Sequence, residues 1–339
     1  MEVKCLTHLY MSFLAVFIAL LPLISVGYET KIIDKPESQN ELKLHTVVGP
    51  ESIAFDPMGH GPYTGVSNGR ILKWQGERLG WSEFAYNSMH RNRDCIENTN
   101  EMMESKCGRA LGLRFHNATG NLYIADAYHG LLAVGPKGGL VKVLASKARG
   151  VPFKFLNGLD VNQETGEVYF TDSSTHITRR EYFMVVLTND TTGRLMKYNP
   201  RSKRLTVLKG HLSYPNGVTM SHDNSHLLVS FTALCQIHKY WIRGPKTGKF
   251  ELFVDLPGYP DNITRDPRGG YWVAMSQLKI DDPAGAAPEH PVAFRLNQDG
   301  KIIEALNGGL TTSISEVHER DGSLWIGSLT NAYVGMYSA

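Results

Sequence analysis

The sequence has few cysteines, little net charge and almost no amphipathic helix pattern. Its 339 residues include 4 Cys, and 35 Lys and Arg nearly balance 33 Asp and Glu, which leaves a formal net charge of +2. The absence of a basic run or stripe argues against a nucleic-acid partner. The rarity of 3.6-residue periodicity favours an all-β fold. A hydrophobic content of 42% is ordinary for a globular protein.

The N-terminal segment is apolar and uncharged from Leu9 to Tyr28. Ser25-Val26-Gly27 places small residues where signal peptidase prefers them. We predict a cleaved secretory signal over residues 1–27 and a single domain over residues 28–339. The alternative is an uncleaved signal anchor, because the apolar block approaches the ~20 residues that span a bilayer. A membrane partner is expected only in that case.

If the protein is secreted, its cysteines can form disulfides, because the secretory pathway is an oxidising compartment. Cys95 and Cys107 close a short loop and are predicted to form a disulfide. Cys5 leaves with the signal. Cys235 lies in a strand-like segment and is predicted to be a buried thiol.

Three glycosylation sequons are present. Asn117 falls in a hairpin turn and Asn189 in an insert, where an added glycan is tolerated, so we predict that both are modified. The third begins at Asn262, which lies beside a position with a different predicted role, and we interpret it as a coincidence.

One hairpin pattern occurs six times. Each copy begins with a key residue, followed by a short apolar strand, a turn rich in Gly, Asp or Asn, and a second strand. The key residues are Glu51, Leu111, Asn157, Asn216, Asp261 and Ser315. Their intervals are 60, 46, 59, 45 and 54 residues, and periods of ~40 to 50 residues of strand and turn are typical of propeller blades. The sequence therefore predicts an all-β, six-bladed β-propeller with inserts near residues 82–106 and 176–191.

The key positions are expected to form a ring, because the first strand of each blade lines the central channel. Glu51 and Asp261 bring carboxylates to this ring, Asn157 and Asn216 bring amides, and Asn262 lies beside them. With no basic residue among them, these oxygens predict a hard cation, and Ca²⁺ is the cation that best accepts an irregular set of oxygen ligands. The alternative is that the two Asn-Gly pairs only turn the chain.

Several segments, among them CGRALGLRF, GVPFKFLNGLDVNQETGEVYFTDSST and HERDGSLWIGSL, resemble the plant strictosidine synthase family over nearly the whole chain from about residue 49. The resemblance implies a six-bladed propeller, a signal peptide and often a vacuolar destination, so we expect the secretory pathway, ending in the vacuole or outside the cell. The founding enzyme condenses tryptamine with secologanin by a Pictet–Spengler reaction. The ring positions also resemble those of paraoxonases and related lactonases, in which the matching residues hold a catalytic calcium ion.

The resemblance places the family's catalytic glutamate at the position of Ser315. A serine hydroxyl is not a base at neutral pH, so it cannot take the proton that the condensation releases. Glu316 is one residue further, and strand alternation should turn it away from the channel. Ser52 and Gly158 also depart from the paraoxonase pattern, in which carboxylates at these positions hold a second, structural calcium ion.

Three functional classes remain open: a calcium-dependent hydrolase of a lactone, ester or phosphotriester, a Pictet–Spengler condensing enzyme of alkaloid metabolism, and a binding propeller with a structural metal. The ring favours the first, with a small molecule as substrate. His129 and His176 follow strand ends and are candidate bases. The apolar run from Tyr182 to Leu187 either packs on the outside of a blade or forms the wall of a small-molecule pocket.

Overall fold

The computed structural model describes residues 30–33, 40–87, 93–96, 100–278, 291–308 and 314–338. Six main sheets surround a central channel, which confirms the predicted all-β, six-bladed propeller. The predicted signal segment, residues 1–27, lies outside the described residues. None of the helices in these ranges combines the length and the apolar character that a membrane crossing requires.

Each blade is built on antiparallel strands, and the strand named first for each blade below lines the channel. The strands of blades 1 to 3 are Ile53–Ala54, Tyr63–Gly65, Arg70–Trp74 and Trp81–Tyr86, then Ala110–His116, Asn121–Asp126, Gly130–Val134 and Lys142–Ala145, then Leu156–Val161, Val168–Asp172, Gly193–Asn199 and Arg204–Leu212. The strands of blades 4 to 6 are Pro215–Met220, His226–Phe231, Gln236–Trp241 and Phe250–Asp255, then Gly258–Arg265, Tyr271–Leu278, Pro291–Leu296 and Ile302–Asn307, then Glu316–Arg320, Ser323–Gly327 and Tyr333–Ser338. Smaller additions are Gly139–Leu140 on the edge of blade 1 and the hairpin of Lys147–Ala148 with Val151–Pro152.

The N-terminal part of the domain closes the ring. Asn40–Lys43 pairs antiparallel with Tyr333–Ser338, so blade 6 combines strands from both ends of the chain. Lys31–Ile33 pairs in parallel with Ile302–Asn307 at the edge of blade 5. Both pairings cover strand edges whose backbone groups would otherwise face solvent.

The hydrophobic core lies between neighbouring blades. One cluster joins Tyr123 and Leu131 of blade 2 to Phe170 and Met196 of blade 3. Strand Leu156–Val161 is buried along its whole length. Because the apolar packing takes place between sheets, the start of each inner strand is left to present polar side chains to the channel.

The two predicted inserts contain the described α-helices and meet each other. The α-helices are Arg93–Ile96, Glu104–Cys107 and Tyr182–Leu187; the 3₁₀ turns Glu101–Met103 and Arg179–Glu181 lie beside them, and a third, Thr232–Leu234, lies in blade 4. Nη1 of Arg179 in the second insert donates a hydrogen bond of 2.9 Å to Oε1 of Glu104 in the first. The inserts therefore pack together on one face of the propeller.

The predicted disulfide is present in the first insert, where the Cα atoms of Cys95 and Cys107 are 5.5 Å apart. Cys235 is a buried thiol, as expected. Asn117 and Asn189 are exposed, as glycan acceptors must be, whereas Asn262 is buried. Burial of Asn262 agrees with its interpretation as a coincidental sequon, and modification of the other two stays a prediction.

Candidate functional site

One cavity of about 420 Å³ opens where the inner strands begin. It is lined by four of the five predicted ligands, namely Glu51, Asn157, Asn216 and Asp261. All four are buried, with 2 to 4% of each residue exposed. Residues from blades 1, 3, 4 and 5 thus meet around one space, as the repeat predicts.

Each of these four side chains carries an oxygen without a hydrogen-bond partner among the described residues. The oxygens are Oε2 of Glu51 and the Oδ1 atoms of Asn157, Asn216 and Asp261. Buried polar atoms are normally hydrogen-bonded, because desolvation without a partner costs about 1–3 kcal/mol or more. Oε2 of Glu51 faces the Arg109 guanidinium at 3.7 Å, and the other three oxygens on the same cavity indicate a missing electropositive partner.

Two hydroxyl groups orient the amides. Nδ2 of Asn157 donates to Oγ of Ser173, and Nδ2 of Asn216 donates to Oγ1 of Thr232, both at 3.1 Å. Each hydroxyl donates its single proton to a backbone carbonyl, at 2.8 Å for Ser173 and 2.7 Å for Thr232. The hydroxyl can therefore only accept a hydrogen bond from the amide. One N–H of each amide is thereby held by a hydroxyl, the Asn216 amide also hydrogen-bonds the Asp261 carboxylate, and the two amide oxygens remain without a donor among the described residues.

The alternative role of the asparagines in turns is wrong. Asn157 lies within strand Leu156–Val161 and Asn216 within strand Pro215–Met220. The following glycines are needed for close strand contact: a Cβ on Gly158 would lie 2.7 Å from the carbonyl oxygen of Asn216. The Asn-Gly pairs therefore combine a side chain for the channel with room for the neighbouring blade.

Burial is the dominant influence on the two carboxyl groups. It raises the pKa of Asp261 to about 7. It also raises the pKa of Glu51, an effect that the Arg109 guanidinium opposes and the Asp261 carboxylate reinforces. Both shifts have the sign expected when ionised carboxylates share a poorly solvated space. A bound cation would favour the ionised forms.

The expectation that no basic residue accompanies the ring is wrong. Nη2 of Arg109 lies 3.7 Å from Oε2 of Glu51, and Arg179 lines the cavity. Glu104 lies between the two arginines, with Oε1 at 3.8 Å from Nε of Arg109 and 2.9 Å from Nη1 of Arg179. Part of the carboxylate charge is therefore balanced by the protein.

Sequence reasoning missed this group of charges. Arg109 lies two residues before Leu111, and alternation along a strand could have placed both on the channel side. Glu104 belongs to the helix that ends at Cys107, and the disulfide joins this helix to Cys95 in the same insert. Nothing in the sequence indicates that Arg179, 75 residues after Glu104, would reach it.

The donor set fits a hard cation. Among the residues that the structure describes, no three His, Cys, Asp or Glu side chains are grouped as metal ligands. A cation in this cavity would depend on two amide oxygens together with the carboxylates of Glu51 and Asp261. Oxygen-only sets with mixed carboxylate and amide ligands are typical of Ca²⁺ and unlike the His and Cys sets of zinc.

Leu111 also lines the cavity, whereas Asn262 and Ser315 lie outside its lining. Asn262 is buried, and its backbone N–H donates to the carbonyl of Ser315 at 3.1 Å. Oγ of Ser315 donates to the carbonyl of Glu51 at 2.7 Å. Glu316 points elsewhere, as alternation predicts, and accepts hydrogen bonds from Ser52 Oγ at 3.0 Å and the N–H of Ile53 at 2.9 Å.

Neither predicted base, His129 or His176, lines the cavity. The His176 side chain is 72% exposed, with Nδ1 3.9 Å from Oδ2 of Asp190. The N–H of His129 is tied to Oδ1 of Asp126 at 2.8 Å in a turn after the strand. The structure therefore does not bring either histidine to the proposed ring.

The apolar run of the second insert forms a wall of the cavity. Helix Tyr182–Leu187 buries Val185 against the propeller and presents its other side to the cavity. The lining residues from this helix are Tyr182, Phe183, Val186 and Leu187. Of the two interpretations that the sequence leaves open, the structure therefore supports the pocket wall.

Comparison with known proteins agrees with this architecture. The family model for strictosidine synthase matches residues 157–245, and the model for the N-terminal part of strictosidine synthase-like proteins matches residues 39–74. Two solved structures share the fold at 15% identity. One is a gluconolactonase from Xanthomonas campestris, with a TM-score of 0.63 and 88% of each chain covered. The other is a calcium-binding protein, regucalcin, from Agrobacterium tumefaciens, with a TM-score of 0.62 and coverage of 91% of this chain and 95% of that chain.

A curated relative is much nearer in sequence. The Arabidopsis thaliana protein named strictosidine synthase-like 10 is 44% identical, and the match covers 88% of each chain. The protein therefore belongs to the strictosidine synthase-like family.

Proposed function

We propose that this protein is a calcium-dependent hydrolase of a small lactone- or ester-type substrate. The observation that carries the proposal is the set of four buried oxygens on one cavity that accept no hydrogen bond from the described residues, from Glu51, Asn157, Asn216 and Asp261. The likeness in fold to a gluconolactonase and to a calcium-binding protein supports it. A cavity of about 420 Å³ is in the range of small-molecule sites, which is ~300–1,000 Å³.

Glu51, Asn157, Asn216 and Asp261 would hold the ion. Bound there, Ca²⁺ supplies a Lewis acid that polarises a carbonyl or phosphoryl oxygen. Asn262, behind the ring, would contribute through its backbone contact to Ser315, which keeps the inner strands of blades 5 and 6 together.

The walls of the cavity bind the substrate and exclude water. Helix Tyr182–Leu187 covers one side with aromatic and aliphatic groups, and the rings of Phe155 and Tyr214 contact each other at 5.8 Å between centroids on the cavity wall. Apolar walls strengthen electrostatic interactions inside the cavity because they lower the local dielectric.

Arg179 and the two carboxylates supply charge and proton transfer. The guanidinium of Arg179 is held by Glu104 at 2.9 Å and Glu101 at 3.3 Å, so it can stabilise negative charge that develops on a substrate oxygen without moving. Glu51 and Asp261 are the acidic side chains in the described lining, and a carboxylate there can accept a proton from water.

The proposed compartment is the secretory pathway, ending in the vacuole or outside the cell. The disulfide of Cys95 with Cys107 and the exposed sequons at Asn117 and Asn189 support this location. Peptide mapping of protein from the native tissue would test the glycans and the cleavage site together.

The test of the metal site is Asp261→Asn, which preserves size and removes one charge from the ring. Calorimetric titration of chelator-treated protein should give a calcium affinity at least about tenfold weaker than wild type, because one anionic ligand becomes neutral. Calcium-dependent thermal stabilisation should fall with it. Asp299→Asn, at an exposed turn, is the matched control and should bind like wild type.

An activity screen completes the test. Wild type is expected to hydrolyse a lactone or aryl ester only with calcium present, and Asp261→Asn to be inactive. Tryptamine with secologanin should give no product, because Ser315 lies outside the cavity lining and its hydroxyl is bound to a backbone carbonyl. Wild type that binds no calcium would overturn the proposal, and calcium binding without any hydrolysis would favour a binding propeller.

A further inference from the structure

A second cavity, of about 370 Å³, lies at the opposite end of the channel. Its lining includes Arg114 and Arg265, near the ends of the inner strands Ala110–His116 and Gly258–Arg265. The ring positions on these strands are Leu111 and Asp261, three and four residues earlier, or roughly 10 to 13 Å away at ~3.3 Å per residue. The two cavities are therefore separate sites.

Positive charge predominates in this second cavity. Arg114, Arg265 and Arg320 come from three different blades and all line it. Asp160, fully buried beneath, lies 2.9 Å from Nε of Arg114 and 3.9 Å from Nη2 of Arg265. One buried carboxylate thus faces two guanidinium groups.

Asp56, the acidic residue among the described lining residues, does not neutralise the excess positive charge of the three arginines. Oδ2 of Asp56 accepts a hydrogen bond from the Tyr63 hydroxyl at 3.0 Å and lies 3.7 Å from Nζ of Lys73. Arg320 contacts the face of Phe55, with its guanidinium carbon 4.7 Å from the ring centroid, and its Nε donates to Asp321 at the surface. The cavity therefore carries a net positive charge.

Some side-chain donors here are not engaged by the protein. Nε of Arg114 is held by Asp160, but the side chain of Arg265 makes no hydrogen bond to the described part of the chain and comes no nearer than 3.9 Å to that carboxylate, although it is only 27% exposed. Nδ1 of His318, in the same lining, is also buried without a partner in that part of the chain. A fork of N–H donors matches the oxygens of a phosphate group well.

We propose that this cavity binds the phosphate group of a small organic phosphate. The arginines from blades 2 and 5 provide converging donors, and Phe55 and Phe115 provide apolar surface for the organic part. The volume exceeds that needed for a bare phosphate and falls within the ~300–1,000 Å³ range of small-molecule sites. The site is independent of the proposed hydrolase centre, with which it shares no lining residue.

The test is Arg265→Gln, because this side chain makes no hydrogen bond in the described structure and its loss leaves Asp160 paired with Arg114. Arg114 is less suitable, since its removal would strip a fully buried carboxylate of its nearest cation. Arg243→Gln is the matched control, with a side chain 50% exposed and 3.5 Å from Glu164.

Titration with inorganic phosphate and with glucose 6-phosphate, at constant ionic strength, should give saturable binding to wild type and tighter binding of the ester. Arg265→Gln should weaken both by about tenfold or more, Arg243→Gln should not, and calcium affinity should be unchanged in either variant. The proposal would be overturned by an absence of saturable binding, by equal affinity in Arg265→Gln, or by succinate binding as tightly as the phosphates.

Discussion

Acidification is expected to destabilise the folded protein through His318. Its ring contacts Phe55 at 5.3 Å between centroids in a poorly solvated position. Burial, together with repulsion by Arg114 and Arg320, lowers the pKa of His318 to about 3, and the opposing attraction of Asp160 is smaller. The folded state therefore resists protonation of this imidazole.

The sign and size of the change in unfolding free energy follow from proton linkage. In the unfolded chain the imidazole has its ordinary pKa of about 6.5, so the unfolded state binds a proton that the folded state does not as the pH falls below that value. The contribution of His318 is complete above pH ~6.5 and decreases towards pH ~3. At ~1.4 kcal/mol per pH unit, its loss by pH 5 is about 2 kcal/mol.

Other buried groups titrate in the opposite direction, so a variant is needed to isolate His318. Burial raises the pKa of both Asp261 and Glu316 to about 7, so these carboxyls take up protons in the folded state first and favour it as the pH falls towards ~4. Comparison of wild type with His318→Gln at the same pH cancels their contribution.

Urea unfolding at pH 6.5 and at pH 5.0 provides the measurement. The difference in unfolding free energy between wild type and His318→Gln should change by about 1.6 kcal/mol between the two pH values, in the direction of relative stabilisation of the variant at pH 5.0, because the unfolded imidazole is already half protonated at pH 6.5. His176→Gln should follow wild type, because that side chain is 72% exposed. A difference between wild type and His318→Gln that stays constant with pH would refute the reasoning.

Two further predictions concern the inserts. Reduction of the disulfide between Cys95 and Cys107 should lower the unfolding free energy by about 3 kcal/mol, the loop-closure value for a short loop, as measured by urea unfolding with and without reductant; unchanged stability would contradict a structural role. Phe183→Ala should raise KM severalfold with calcium affinity unchanged, because the phenyl group lines the cavity but is not one of the proposed calcium ligands. Leu252→Ala, at a similarly exposed strand position, is the control and should leave KM unchanged. An unchanged KM for Phe183→Ala would show that the helix does not contact the substrate.

The architecture could be predicted because the hairpin pattern repeats in the sequence itself. A hairpin that recurs six times with a fixed place for its key residue implies blades of one design, and blades of one design bring equivalent positions to one ring. That is why Glu51, Asn157, Asn216 and Asp261 could be placed together although they are separated by up to 210 residues. The resemblance to the strictosidine synthase family pointed to the same fold.

The charges around the ring could not be predicted in the same way. Arg109 and Arg179 reach the ring by contacts between an inner strand and an insert, and inserts do not follow the repeat. His129 and His176 illustrate the converse, since each follows a strand end in the sequence but is not among the residues that line the cavity.

Local sequence pattern decided which segments form strands, where turns lie and which side chains face the channel, because alternation and turn chemistry act over a few residues. Tertiary structure decided what depends on contacts between distant segments. Asn40–Lys43 becomes the outer strand of blade 6 only because the ring brings the two ends of the domain together. The orientation of the asparagine oxygens likewise depends on Ser173 and Thr232, whose protons are committed to the next blade.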